Sequence, residues 1–125
     1  MITEEIKMEK IKNFRDLEIW RLGKEIVSEI YRVTKSFPKE EIFGLISQMR
    51  KSAVSIPSNI AEGFNRFHNK EYRQFIFVSY GSCGELETQI EISLDLEMIQ
   101  LSTASLLLEK LDHESRMIRN LIKKL

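Results

Sequence analysis

Residues that interrupt helices are scarce in this chain. Its 125 residues include only 5 glycines and 2 prolines, which disfavours a turn-rich β protein and leaves room for long helices. No apolar run approaches the roughly 18 residues of a membrane-spanning helix, so we expect no membrane association. Cys83 is the single cysteine, which excludes an internal disulfide. Together with the lack of a basic-then-apolar leader pattern, it predicts a cytoplasmic protein.

Groups typical of active sites are also few. The two histidines are His68 and His113, and neither has a partner at metal-ligand spacing. Lys110 stands three residues before His113, where a di-iron bundle carries glutamate. The run Gly81–Gly84 has the wrong spacing for a nucleophile elbow, and a glycine-rich phosphate loop is absent. We therefore predict no catalytic residue, no metal and no cofactor, and a binding protein rather than an enzyme.

Charge is balanced overall but unevenly distributed. The chain has 19 Lys and Arg against 19 Asp and Glu, a net charge of zero, whereas an obligate polyanion binder is normally basic. Residues 68–98 carry 2 basic and 6 acidic side chains. Two interpretations of this acidic segment stay open: a solvated face, or complementary contacts between subunits.

Apolar residues recur every three or four positions along four segments, which is the spacing of core-facing helices. The predicted helices cover about 16–36, 38–65, 69–98 and 103–125. Long helices with short connections predict an all-α fold, an antiparallel up-down-up-down four-helix bundle. We expect the bundle domain to span residues 14–125 and a flexible N-terminal arm to span residues 1–13.

Two features interrupt this regular pattern. Apolar residues from Ile42 to Phe67 keep one heptad phase across Pro57, so we predict a kink at Pro57 within one continuous second helix. The alternative is a true break at which Pro57 opens a new helix. Gly81 and Gly84 fall in the middle of the third helix and lower its propensity. There we expect the backbone of a neighbouring helix to approach closely.

Small polar residues surround the proline, in the stretch 55–63. Ser55, Pro57, Asn59 and Glu62 are the candidate residues of this stretch. In one interpretation the polar members brace the kink, because serines near a proline can hydrogen-bond freed backbone carbonyls. In the other, they line a channel or pocket between the subunits of an oligomer.

Basic residues cluster along the second helix and the turn that follows it: Arg50, Lys51, Arg66, Lys70 and Arg73. The aromatic residues interleaved with them are Phe64, Phe67 and Tyr72. Basic side chains beside stacking rings are typical of a nucleic-acid-binding surface. The alternative is ordinary solubility charge above core aromatics.

Several separated motifs, in order from Phe14 to the C-terminus, resemble one known family. The first three are Phe14-x-x-Leu17-x-x-Trp20, Ile30-Tyr31-x-x-Thr34-x-x-Phe37-Pro38 and Gly44-Leu45-x-x-Gln48-x-Arg50. The stretch Ser55 to Gly63 follows, and then Gly81-Ser82-x-x-Glu85-Leu86-Glu87-x-Gln89. The sequence is similar to the bacterial four-helix bundle proteins encoded by intervening sequences in 23S rRNA genes, also called the S23 ribosomal protein family.

This resemblance implies a helical bundle that assembles into a ring, typically a pentamer, with no known enzymatic activity. A related protein, the accessory variability determinant of diversity-generating retroelements, binds nucleic acid through a strongly basic surface. The present chain departs from it in being neutral, with an acidic third helix. We hypothesise an oligomeric protein that binds RNA or DNA. The alternative is a protein-binding scaffold ring without a nucleic-acid role.

Overall fold

The protein is described by a computed structural model of residues 11–125. Four α-helices make up most of it: α1 Glu18–Thr34, α2 Leu45–Phe64, α3 Asn69–Asp95 and α4 Leu101–Lys124. Two single-turn 3₁₀ helices, Phe14–Asp16 and Lys39–Glu41, complete the described segment, which contains no strand. The all-α prediction is therefore confirmed, and the predicted arm lies largely within residues 1–10, outside the described residues.

Each helix packs against its neighbour in the sequence, and α1 also packs against α4. At the α2–α3 interface, Ser79 donates to the carbonyl of Ile56 at 2.9 Å, and Ser93 donates to the sulfur of Met49 at 3.5 Å. Residue numbers thus rise along α3 as they fall along α2. That reversal is the relation of antiparallel neighbours.

The α1–α4 interface shows the same reversal. Gly23 lies beside Glu114, and Glu29, further along α1, pairs with Lys110 at 2.7 Å. The other two interfaces are also antiparallel. Between α1 and α2, Gly23 contacts Pro57 and Thr34 contacts Arg50. Between α3 and α4, Arg73 contacts Ile122 and Cys83 contacts Ser115. The bundle therefore has two ends, one holding the α2–α3 turn and the other holding the α1–α2 and α3–α4 connections.

The core consists mainly of isoleucine and leucine side chains from all four helices. Its fully buried large members include Ile30, Met49, Ile60, Leu86 and Ile118. Burying side chains of this size stabilises the bundle by roughly 2 kcal/mol each relative to leaving them exposed. These residues lie at the three- and four-residue spacings that predicted the helices.

The start of the second helix differs from the prediction. Instead of beginning near Pro38, the chain makes the 3₁₀ turn, and α2 begins only at Leu45, whose N–H binds the Glu41 carboxylate at 3.2 Å. In this connection Ile42 is 52% exposed and Phe43 is 94% exposed. The heptad phase of Ile42 therefore does not bring it into the core, where it was expected.

Two further predictions concern breaker residues in the helices. The helix α2 continues through Pro57, so a break that opens a new helix there is wrong, while the kink itself stays a prediction. Gly81 and Gly84 have no atom of another element within 4 Å of where a side chain would start. The expected close approach is absent at both because they lie on the solvent-facing side of α3.

None of the described helices is long and apolar enough to cross a membrane.

Candidate nucleic-acid interface

The turn between α2 and α3 carries the first part of the candidate surface. Arg66 forms an ion pair with Glu62 at 3.4 Å and stacks over Phe75 at 4.8 Å from the ring centroid. Phe67, next to it, is 99% exposed. A fully exposed ring of this kind can stack on an unpaired base.

The first turns of α3 extend this surface. Arg73 donates to the carbonyl of Ile122 at 3.3 Å, near the C-terminus of α4, and stacks over Phe77 at 5.1 Å. Lys70 and Arg73, with Gln74 and Phe77, line a shallow groove of about 250 Å³. The contact with Ile122 places the basic C-terminal residues of α4 beside this groove.

The structure does not bring Arg50 and Lys51 to the same place. Arg50 lies 14 residues before Phe64, the last residue of α2, which is about 21 Å along the helix at 1.5 Å per residue. Arg66 lies in the turn beyond that end. Arg50 donates to the hydroxyl of Thr34 at 3.0 Å and stacks over Tyr31 at 4.5 Å, so it secures the C-terminus of α1. With Lys51 it lines a separate groove of about 570 Å³.

Charge is segregated along the bundle axis. We define the basic half as residues 11–25, 55–81 and 113–125, and the acidic half as residues 26–54 and 82–112. The basic half holds 11 Lys and Arg against 6 Asp and Glu, whereas the acidic half holds 6 against 10. The basic half thus has a formal charge of +5 and the acidic half −4.

The sequence analysis did not include Lys123 and Lys124 in the candidate nucleic-acid surface. They belong to the basic half, because an antiparallel bundle places the end of α4 beside the start of α3.

The polar stretch around Pro57 lies at the seam between α2 and α3. The hydroxyl of Ser82 donates to that of Ser55 at 2.8 Å, and the amide of Asn59 donates to the Ser55 carbonyl and hydroxyl, both at 2.9 Å. Pro57 is buried against Gly23. These contacts favour the bracing interpretation for Ser55 and Asn59, whereas Glu62 belongs to the exposed basic half through Arg66.

One ionisable side chain lies in the core. Glu114 is fully buried, and neither carboxylate oxygen has a hydrogen-bond partner among residues 11–125. Burial, and to a lesser extent the charge of Glu18, raise the pKa of Glu114 from 4.5 to about 8. The missing side chain of Gly23 makes room for it, because a methyl group there would lie 3.1 Å from a carboxylate oxygen. Glu114 is therefore mostly protonated at neutral pH.

The thiol of Cys83 also lies in the core. Burial, with the nearby charge of Glu114, raises the pKa of Cys83 to about 12. The thiolate is the nucleophilic form of cysteine, and its fraction is negligible at neutral pH for such a group. Within residues 11–125, no cluster of three or more His, Cys, Asp or Glu side chains is arranged to hold a metal ion.

Comparison with known proteins places this architecture in a family. The profile of the 23S rRNA-intervening sequence proteins matches residues 15–120, which is most of the chain. The chain belongs to the 23S rRNA-intervening sequence protein family. A crystal structure of a protein of unknown function from the S23 ribosomal protein family of Bacteroides thetaiotaomicron VPI-5482 matches it with a TM-score of 0.76 at 17% identity. That match covers 84% of this chain and 98% of the other.

These findings confirm the resemblance drawn from the motifs. At 17% identity, the likeness of the Bacteroides thetaiotaomicron structure to this member of the 23S rRNA-intervening sequence protein family establishes the shared fold alone. No curated protein matches the chain.

Proposed function

We propose that this chain is a non-enzymatic homo-oligomeric protein that binds RNA or DNA through its basic half. The observation that carries the proposal is the segregation of charge, +5 on one half and −4 on the other. A sequence with zero net charge can in this way present a surface that attracts phosphates.

The distance between the two halves decides whether the acidic half cancels this attraction. The helix α3 has 27 residues and is about 40 Å long, so the centres of the halves lie about 20 Å apart. The Debye length at physiological salt is about 8 Å. Phosphates bound at the basic half are therefore largely screened from the acidic side chains.

The exposed rings supply the second component of the proposed surface. Phe67 is 99% exposed and follows Arg66 in the chain, and Phe77 is 47% exposed with Arg73 stacked over it. Stacking on such rings contributes about 1–3 kcal/mol per unpaired base and tolerates any sequence. We therefore expect loops and single strands to bind more tightly than a blunt duplex of equal length.

The test is fluorescence anisotropy with a labelled RNA hairpin at several salt concentrations. The variant Arg66→Gln with Lys123→Gln removes two charges from the basic half. We expect it to weaken binding at least about tenfold and to lower the salt slope by about 2, because each neutralised phosphate contributes about 1.

The matched control is Arg32→Gln with Lys35→Gln, which removes one arginine and one lysine from the acidic half. We expect less than about a twofold change in affinity for this control. Equal losses in the two double variants, or binding that does not respond to salt, would show that the basic half is not the site.

A protein-binding scaffold ring is the second candidate, and one observation favours it. The acidic half exposes apolar side chains in its two connections, Phe43 and Leu96 among them, and at Leu101, the first residue of α4. Exposed apolar side chains among polar ones are typical of protein-interaction surfaces. A basic protein partner that is retained after nuclease treatment, and lost in Phe43→Ser with Leu101→Ser, would favour this function over nucleic-acid binding.

A further inference from the structure

Two shallow grooves lie next to each other on the outer face of the first turns of α3, and Gln74 lines both of them. The first groove has a volume of about 220 Å³ and the second about 250 Å³. The first is lined by Arg66, Glu71, Gln74, Phe75 and Val78, and the second by Lys70, Arg73, Gln74 and Phe77. A pocket for a drug-sized ligand holds roughly 300–1,000 Å³, so each groove suits a single planar ring system better than a larger molecule.

Each groove contains an arginine that stacks on a phenylalanine. The guanidinium of Arg66 lies 4.8 Å from the ring centroid of Phe75, and that of Arg73 lies 5.1 Å from the ring centroid of Phe77. Unpaired bases stack on aromatic rings and on guanidinium planes. The attraction between each arginine and its ring holds these flat groups together before a ligand arrives. Two flat recognition surfaces therefore lie on either side of the exposed Gln74.

The two grooves differ in charge. Lys70 and Arg73 give the second groove a formal charge of +2, whereas the charges of Arg66 and Glu71 cancel in the first. The second groove therefore offers cations to the phosphate that accompanies its base. A carboxylate only accepts hydrogen bonds. Cytosine carries an amino donor at the ring position where uracil carries a carbonyl acceptor, so Glu71 favours cytosine over uracil in the first groove.

We propose that the two grooves bind two neighbouring unpaired bases of one nucleic-acid strand, with Gln74 hydrogen-bonding to the base edges from between them. The proposal rests on nucleic-acid binding by the basic half. It deepens that function by assigning two base sites and two side chains, Gln74 and Glu71, that distinguish one base from another. An amide side chain both donates and accepts hydrogen bonds, so Gln74 can bind the edge of either base. Base preference then comes from the grooves, while phosphate contacts of the surrounding basic residues position the strand.

An abasic strand separates base binding from phosphate binding. Fluorescence anisotropy compares a labelled single-stranded oligoadenylate with an abasic strand of the same length. Both strands carry the same phosphates, so we expect the same salt slope for the two. The abasic strand is expected to bind at least about 30-fold more weakly, because it loses the stacking of two bases. Equal affinity for the two strands would overturn the two base sites and leave binding of phosphates by the basic half intact.

The variant Gln74→Leu removes the amide shared by the two grooves and keeps every charge of the basic half. We expect it to bind oligoadenylate about tenfold more weakly, because the hydrogen bonds to the base edges are lost. Its affinity for the abasic strand is expected to stay within about twofold of the original, because that strand has no base edge to bind. The matched control is Gln48→Leu, at an exposed position of α2 in the acidic half, and it is expected to change neither affinity.

The outcomes of this experiment distinguish the base sites from the proposed function. If Gln74→Leu bound oligoadenylate like the original protein while binding stayed salt-dependent, the two grooves would be ruled out and the basic half would remain the site. If the original protein bound none of the strands at low salt, both proposals would be wrong.

The variant Glu71→Gln tests the base preference of the first groove. The original protein is expected to bind oligocytidylate about fivefold more tightly than oligouridylate. Glutamine can donate to the carbonyl of uracil as well as accept from the amino group of cytosine, so the variant is expected to bind both strands within about twofold of each other. The control Glu85→Gln removes the same charge from an exposed position later in α3 and is expected to keep the preference. Equal binding of the two strands by the original protein, or a preference that Glu71→Gln leaves unchanged, would overturn the role of Glu71.

Discussion

The inner and outer surfaces of the bundle use the same residue type in opposite ways. Gly63, on the inner side of α2, lies where a methyl group would come within 2.9 Å of the Phe75 side chain and 3.1 Å of the Tyr72 carbonyl. Gly81, on the outer side of α3, faces open space. The inner glycine is required by contacts within the subunit. The outer glycine has no such contact within the described residues, so enlarging it is not opposed by any neighbour there.

The largest expected effect concerns the inner side, at Glu114. The pKa of Glu114 is raised from 4.5 to about 8 in the folded protein, so the folded state binds this proton more tightly than the unfolded state. The resulting stabilisation is complete below pH 4.5 and is lost progressively as the pH rises through 8. We expect a loss on the order of 5 kcal/mol in the free energy of unfolding across that range.

Urea unfolding at pH 5, 7 and 9 measures this effect, and Glu114→Gln tests its origin. Glutamine keeps the shape without the charge, so this variant is expected to lose most of the pH dependence. Glu109→Gln, on an exposed position of the same helix, serves as the control and is expected to keep it. A wild-type stability that stays flat between pH 5 and pH 9 would show that the carboxyl is solvated or paired.

A smaller loss is expected when the inner glycine is enlarged. Gly63→Ala drives a methyl group against the backbone carbonyl of Tyr72, which cannot move without shifting α3. We expect the free energy of unfolding to fall by about 2 kcal/mol, measured by urea denaturation. An unchanged midpoint would mean that the two helices separate at little cost.

The smallest expected effect has the opposite sign and lies on the outer side. Gly81→Ala adds a methyl group in open space and improves helix propensity, so the monomer is expected to gain about 1 kcal/mol in stability. Thermal unfolding at a concentration below dissociation measures it. If Gly81→Ala instead destabilised the isolated monomer, Gly81 would be in contact with a neighbour in the folded subunit, as Gly63 is.

Much of the fold followed from the spacing of apolar residues. The positions of Ile30, Ile60 and Ile118 in regular seams predicted four helices and the side of each that is buried. Glu114 has the spacing of its apolar neighbours Leu111 and Ile118 and is buried with them. Spacing failed at Ile42, which keeps the heptad phase yet lies in an exposed connection, since phase alone does not show where a chain leaves the core.

The candidate surface was harder to predict because it depends on topology. Arg66, Lys70 and Arg73 are neighbours in sequence, and the structure keeps them on one half. Arg50 and Lys51 are also near in sequence, but the rest of α2 places Arg50 about 21 Å from the turn that holds Arg66. The sequence likewise does not reveal which glycine meets a neighbour, because that depends on the direction each one faces around its helix.

The buried thiol of Cys83 has a practical consequence. With its pKa near 12 and its side chain inaccessible, it reacts slowly with maleimides and disulfide reagents. A cysteine introduced anywhere on the surface then becomes the single reactive handle of an otherwise native chain. Spin labels, fluorophores or photocrosslinkers attached at Thr88 or Phe67 can report subunit pairing and RNA proximity without prior removal of the natural cysteine.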